Sequence, residues 1–145
     1  MTKQALPLNQ QLCFALYSAN NAMGRLYRPL LAELGLTYPQ YLVLLALWET
    51  DNRSVSALGD ALTLKSNTLT PLLKRMEGAD LVQRLRNPQD ERSVTISLTE
   101  KGRALEEKAY EIGLCISRAT GRDDDELNAL RNQIQALAVR LRSEV

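Results

Sequence analysis

Between residues 81 and 98 the chain changes its period. "LVQRLR" and "SVTISL" are β-prone runs, and the polar, turn-rich hexamer "NPQDER" separates them. This predicts a β-hairpin with a basic tip. Everything around it reads as helix. Immediately upstream lie two short helical segments. "SVSALGDALTL" opens with serines that can cap, and it points Leu58, Ala61 and Leu62 inward. "KSNTLTPLLKRMEGADL" points Leu69, Leu72, Leu73 and Met76 inward, with Gly78 near its end. Two short helices joined by three or four residues form a helix-turn-helix unit. Few folds place a hairpin directly behind such a unit.

The remaining chain is helical. Leu12, Leu16, Ala19, Met23, Leu26 and Leu30 recur at steps of three and four, which predicts a long helix over residues 8–34. Gly35 suits its C-terminal cap. In "TYPQYLVLLALWE", Pro39 suits a first helical turn, and residues 42–48 are apolar on all sides, so this helix is expected at the centre. Behind the hairpin, Leu105, Ala109, Ile112 and Ile116 share one helix face, and Gly121 breaks it. Leu127, Leu130, Ile134, Leu137 and Leu141 line a last helix with an acidic start. The expected fold is mainly α with a small β-hairpin wing: a winged helix-turn-helix over residues 54–98. Residues 8–34 and 99–143 form a helical dimerisation region of the same domain, residues 1–145. The stripes of the first and last helices fit a homodimer interface, with packing inside one chain as the alternative.

Composition removes several classes of function. There is no histidine among the 145 residues, so histidine-based triads and the commonest metal ligand are absent. Two cysteines, Cys13 and Cys115, have no zinc spacing. No metal site or cofactor is expected. No apolar run approaches the roughly 18 residues that span a membrane, and the N-terminus lacks the pattern of a secretory signal. A cytoplasmic chain with reduced thiols and no membrane partner is the expectation. The net charge is +1, yet residues 65–98 carry six basic side chains against four acidic ones.

A helix-turn-helix followed directly by a two-stranded wing is a DNA-reading arrangement, and this small positive excess falls on it, so double-stranded DNA is the expected partner. The second short helix presents Lys65, Ser66, Asn67, Thr68, Thr70, Lys74 and Arg75 away from its apolar face. Short hydroxyl and amide groups near a helix N-terminus reach base edges or phosphates in a major groove, and Lys74 and Arg75 suit phosphates. Pro71 has no amide hydrogen. If Thr68 caps the helix, Pro71 lies in the first turn; if Ser66 caps it, a backbone bond is lost. The wing adds Arg86, Asp90 and Arg92. An arginine at a wing tip fits a narrow minor groove, and Asp90 can orient it.

Cys13 lies about 100° around its helix from Leu12, beside the apolar seam and within about 40° of Tyr17, Asn20, Gly24 and Tyr27. Tyr17 is one turn away. No lysine or arginine lies within two turns of Cys13. The residues alone leave two roles open: an inert packed thiol, or a reactive one supported by tyrosine hydroxyls, a helix start or groups brought in by folding. Cys115 sits at the edge of its helix, about 80° off the apolar centre.

"NPQDERSVTISLTEKG" resembles the wing signature of MarR-type winged-helix repressors at Asp90, Arg92, Leu98, Thr99 and Gly102. "LCFALYSA", "LTYPQYLVLLALWE" and "TLTPLLKRME" are similar to the organic hydroperoxide-sensing, OhrR-type branch. Lys65-Ser66-Asn67 stands where that branch often has Asp-Ser-Gly, which changes the charge at the start of the recognition helix. The resemblance implies that Cys13 is the peroxide sensor and that Tyr27 and Tyr38 hydrogen-bond it from across the dimer. It also implies that Cys115 is a resolving thiol, as in the two-cysteine subgroup; members with one cysteine are capped by a low-molecular-weight thiol. The expected function is a non-enzymatic repressor. It binds an inverted-repeat operator when reduced and leaves when an organic hydroperoxide oxidises Cys13. A repressor gated by a small lipophilic or phenolic ligand, with Cys13 inert, is the alternative within the fold, and a thiol peroxidase the alternative outside it.

Overall fold

The structure is a computed structural model that describes residues 2–145, with the backbone alone at residues 87 and 90–92. Helix α1 spans Leu12–Ala32, four residues shorter at its start than the expected 8–34. Leu8–Gln10 form a separate 3-10 turn behind Pro7. Gln11 is extended, and its side-chain amide bonds to the Leu6 carbonyl at 3.0 Å, so the helix begins afresh at Leu12. Gly35 ends the segment as expected, at φ 70°. The amides of Gly35 and Leu36 bond to the carbonyls of Ala32 and Leu31, both at 3.0 Å. This pairing closes a helix over its own last turn, and Leu31 and Leu36 are buried there.

Helix α2, Tyr38–Glu49, starts at a reciprocal cap between Thr37 and Gln40, with Pro39 in its first turn. Tyr41, Val43, Leu44, Ala46 and Leu47 are buried, but Leu42 and Trp48 are half-buried and Leu45 is 40% exposed, so the helix is central yet keeps one side open. The next two helices are α3, Val55–Leu62, and α4, Ser66–Gly78. Ser54 caps α3 through the Ala57 amide at 3.0 Å. Leu69, Leu72, Leu73 and Met76 of α4 are all buried. On α3 only Leu58 is buried; Leu62 is half-buried and Ala61 is exposed. The inward stripe fails there because α3 stops at Leu62 and the chain turns away at Thr63, φ 56°.

The wing strands are β2, Val82–Asn87, and β3, Asp90–Leu98. They pair antiparallel from Val82↔Leu98 to Arg86↔Val94, then shift register to Asn87↔Asp90. The strands therefore run into "NPQDER", and the expected hexamer turn shrinks to residues 88–89. A third strand, β1 (Arg53–Ser54), pairs with β3 on its other edge, giving the order β1-β3-β2. Thr99 then caps α5, Glu100–Ala104, and α6 follows over Glu106–Ala119. Ala109, Ile112 and Ile116 are buried. Gly121 breaks the helix at φ 67°, and Asp123 caps α7, Asp124–Arg142.

A small polar junction ties the base of the wing to its neighbours. The Asp51 carboxylate accepts from the amides of Asn52 (2.8 Å) and Leu98 (2.9 Å) and from the Arg103 guanidinium (3.0 Å). Burial pushes the Asp51 carboxyl up, but those three donors outweigh it and hold it below the usual value. The Trp48 indole donates to the Gly102 carbonyl at 3.0 Å.

The chain forms two compact units, Met1–Ile112 and Gly113–Val145. The first contains the sheet, the helix-turn-helix and the residues excluded most completely from water, among them Val43, Leu44, Leu47, Leu58, Leu69 and Ile96. The long helices differ from this core. Leu31 is the one buried residue of α1, and α7 has none. Leu12 is 61% exposed and Met23 44%. Among the described residues, no helix is long and apolar enough to cross a membrane.

Candidate nucleic-acid interface and thiol site

Lys65 is the N-cap of α4, with extended backbone and no side-chain cap bond. Neither Ser66 nor Thr68 caps the helix. Pro71 lies inside it, so the bond from residue 71 to the Asn67 carbonyl cannot form. Lys65, Ser66, Asn67, Thr68, Lys74 and Arg75 are exposed. Thr70 is half-buried and lines a cavity of about 270 Å³ with Ser54, Ser56, Leu73, Arg84 and Ser93, among others. That cavity lies where α3, α4 and the wing strands meet. Arg84 is held by Glu77 at 3.3 Å. Lys65, Lys74, Arg75 and Arg86, by contrast, have no ion pair among the described residues. Arg86 is exposed on β2. The side chains of Asp90 and Arg92 lie outside the described residues; their backbone belongs to β3. Four free cations, three hydroxyls and one amide thus stand on α4 and β2 of one unit, a surface suited to phosphate oxygens and base edges.

Cys13 is the second residue of α1, in the turn whose amides have no intrahelical acceptor, and it is exposed. Tyr17, one turn on, is 64% exposed. Tyr27 and Tyr38 are far from the cysteine of their own chain. Fourteen residues of helix, at about 1.5 Å each, separate Cys13 from Tyr27 by roughly 21 Å. Tyr27 and Tyr38 instead meet each other, with ring centroids 5.1 Å apart. Tyr41 completes the group, at 5.6 Å from Tyr27 and 6.1 Å from Tyr38. Its spacing of three from Tyr38 on one helix was the available signal, and an apolar run around it masked that signal.

Burial pushes the Tyr27 hydroxyl up to about 12; the neighbouring hydroxyls of Tyr41 and Tyr38 add to this, as does a hydrogen bond with Tyr41. Burial also raises Tyr41, and the same hydrogen bond opposes the rise. Beside the rings lies a cavity of about 370 Å³, lined by Asn20, Met23, Gly24, Tyr27, Arg28, Leu36 and Tyr38, among others. Cys115 is exposed on α6 and belongs to the second unit. Among the described residues, no group of three or more carboxylates and cysteines could hold a metal ion.

The family described as transcriptional regulator SarA/Rot matches residues 25–109. The chain is 46% identical to the organic hydroperoxide resistance transcriptional regulator of Bacillus subtilis (strain 168) over 132 residues, 91% of this chain and 90% of that protein. It is 50% identical over 130 residues to the HTH-type transcriptional regulator TtmR of Methylorubrum extorquens (strain PA1), 90% of this chain and 67% of that protein. Reduced AbfR bound to DNA is similar in structure, with a TM-score of 0.80 at 36% identity over 92% of this chain and 94% of that one. AbfR comes from Staphylococcus epidermidis. Overoxidised AbfR bound to DNA matches over the same shares with a TM-score of 0.77 at 36% identity. AbfR with its disulfide formed matches with a TM-score of 0.67 at 37% identity, over 94% of this chain and 90% of that one.

Proposed function

This chain belongs to the MarR-type winged-helix transcriptional regulators, in the branch of the organic hydroperoxide resistance regulators, and we propose that it is a thiol-switched repressor. Two copies pair through the uncovered stripes of α1 and α7. The reduced dimer binds an inverted-repeat operator through α4 and the wing of each copy, as two-fold symmetry requires. Cys13 then reacts with an organic hydroperoxide: the thiolate sulfur takes the distal hydroxyl, the O–O bond breaks, and the alkoxide leaves, taking a proton from water to become the alcohol, with a sulfenic acid behind. Cys115, or a low-molecular-weight thiol, displaces water from the sulfenic acid and forms a disulfide. The disulfide shifts the dimer interface and moves the two DNA-reading heads out of register.

The observation that carries this reading is the distance along α1. Tyr27 and Tyr38 flank an open cavity that their own Cys13 cannot reach, and the face of α1 between them is uncovered. A second copy packed about a two-fold axis brings its Cys13 to that cavity. The three redox states of AbfR support the same chemistry by similarity. The cavity also favours a second reading, release by a small phenolic or lipophilic ligand held by the tyrosines and Arg28.

One experiment separates the two. Operator binding is measured by fluorescence anisotropy before and after cumene hydroperoxide, for wild type and Cys13→Ser. The redox reading expects release of wild type and retention of Cys13→Ser. Equal release of both overturns it. A regulator of this kind reduces about one equivalent of peroxide per Cys13 in each oxidation; sustained turnover with a dithiol reductant would mark a peroxidase instead.

A further inference from the structure

The buried stripe of α4 fixes which of its side chains point straight out. At about 100° per residue, the centre of Leu69, Leu72, Leu73 and Met76 lies about 170° from Asn67 and about 150° from Pro71 and Lys74. Thr68 and Thr70 stand about 90° and 110° from it, on the flanks, and Ser66 lies nearer the core. All three outward residues are exposed, and the Asn67 side chain has no partner among the described residues. Because Lys65 is the N-cap, Asn67 is the second residue of the helix, in the turn that enters a major groove first. Pro71, one turn behind, presents an apolar ring on the same line.

We infer that Asn67 is the base-reading residue of α4 and that it recognises an adenine, with the Pro71 ring against the methyl of a nearby thymine. The carboxamide matches the edge of adenine and of no other base: its oxygen accepts from N6 and its nitrogen donates to N7. Pro71 has no amide hydrogen to compete for an acceptor, and its ring suits the thymine C5 methyl. Lys74, a further turn along, reaches a phosphate and adds affinity without sequence information. Thr68 and Thr70 are the wrong way round for a base edge and serve the flanking backbone. The inference rests on the DNA-binding reading above and adds to it the sequence that the helix selects.

The test starts from a duplex library randomised over thirty base pairs, enriched separately on the full-length reduced wild type, Asn67→Ala and Thr68→Ala. Wild type is expected to enrich an inverted repeat with one invariant adenine per half-site. Asn67→Ala is expected to lose the preference at that position alone, and Thr68→Ala to keep it. On the wild-type sequence, replacing that adenine by 7-deazaadenine weakens wild type about tenfold or more and leaves Asn67→Ala unchanged. Replacing thymines singly by deoxyuridine weakens both proteins at one neighbouring position. If Asn67→Ala enriches the wild-type sequence with every position intact, the inference is overturned while the repressor reading stands. If wild type enriches no sequence, both fall. A circular dichroism melt of each variant confirms that the exposed substitution leaves the fold in place.

Discussion

Tyr27 keeps its proton further into alkali than an ordinary phenol, because burial, its two neighbouring hydroxyls and its bond to Tyr41 all favour the neutral form. The folded chain therefore holds a proton that the unfolded chain gives up near its ordinary value of 10.0. The stability from this group is complete below pH 10 and is lost as pH rises toward about 12. A spectrophotometric titration at alkaline pH should show one phenol among five ionising near pH 12. Tyr27→Phe should remove that step, and persistence of the step in the variant would place the raised hydroxyl elsewhere. At neutral pH the hydroxyl is therefore protonated, well below its raised value. The two cysteines make a separate prediction. If Cys115 captures the sulfenic acid, Cys115→Ser leaves Cys13 open to a second peroxide and to sulfinic acid. Overoxidised AbfR is bound to DNA. By similarity, peroxide-treated Cys115→Ser should gain two oxygen atoms in intact-mass spectra and stay on its operator, while wild type forms a disulfide and leaves. Release of an overoxidised Cys115→Ser would show that oxidation of Cys13 suffices.

The polar junction links the end of α2 and the loop after it to β3 and α5 at the base of the wing. Asp51 is its hub, and its worth lies in the two backbone amides it satisfies more than in the exposed Arg103 pair. Asp51→Ala should cost about 1–3 kcal/mol in denaturant unfolding by stranding those amides. The carboxyl is held below its usual value of 3.8, so its contribution is present above that pH and is lost as pH falls below it. Acid unfolding of Asp51→Asn should accordingly be shallower than that of wild type. Gly102 is the other fixed point. A Cβ there would collide with the Leu81 carbonyl oxygen, which is pinned by the Thr99 amide at 3.1 Å. Gly102→Ala should therefore destabilise by about 1–3 kcal/mol, and an unchanged melting temperature would mean that the wing base yields. These elements differ in how legible they were. The stripe of α4 and the caps at Gly35 and Ser54 were legible, being written within a turn or two of where they act, whereas the caps at Thr37, Thr99 and Asp123, equally local, went unread. β1 was not legible, because two residues carry no period and pair only when β3 is already in place. The N-cap at Lys65 uses backbone geometry, so no hydroxyl marked it, and the position of Pro71 stayed undecided. The tyrosine cluster needed α1 to meet α2, a contact that no spacing along the chain encodes.

A single chain leaves its long helices unfinished. α7 is capped at its start, runs nineteen residues and buries none of them, with Leu130 at 41% and Ile134 at 42% exposure. Contiguous apolar faces of this kind mark interaction surfaces in soluble proteins. Each of these helices, α1 in the first unit and α7 in the second, leaves apolar side chains uncovered, and the proposed two-fold partner would cover them. In the proposed dimer the thiol of one copy meets the tyrosines of the other, which the roughly 21 Å of helix between Cys13 and Tyr27 forbids within a chain. It follows that dimer formation, operator binding and peroxide sensing should fail together. Ile134→Glu puts a charge on the uncovered face of α7, a helix with no buried residue, so the core of the first unit is expected to stay intact by circular dichroism. In sedimentation the wild type should run at twice 16.2 kDa and the variant at 16.2 kDa. Its affinity for the full inverted repeat should fall about a hundredfold or more, toward that of a half-site, because the second head is no longer tethered. Its Cys13, deprived of the partner's tyrosines, should react with cumene hydroperoxide more slowly than in wild type. A variant that stays monomeric but keeps wild-type peroxide reactivity would separate the sensor from the dimer, and the cavity beside Tyr27 and Tyr38 would then belong to a ligand.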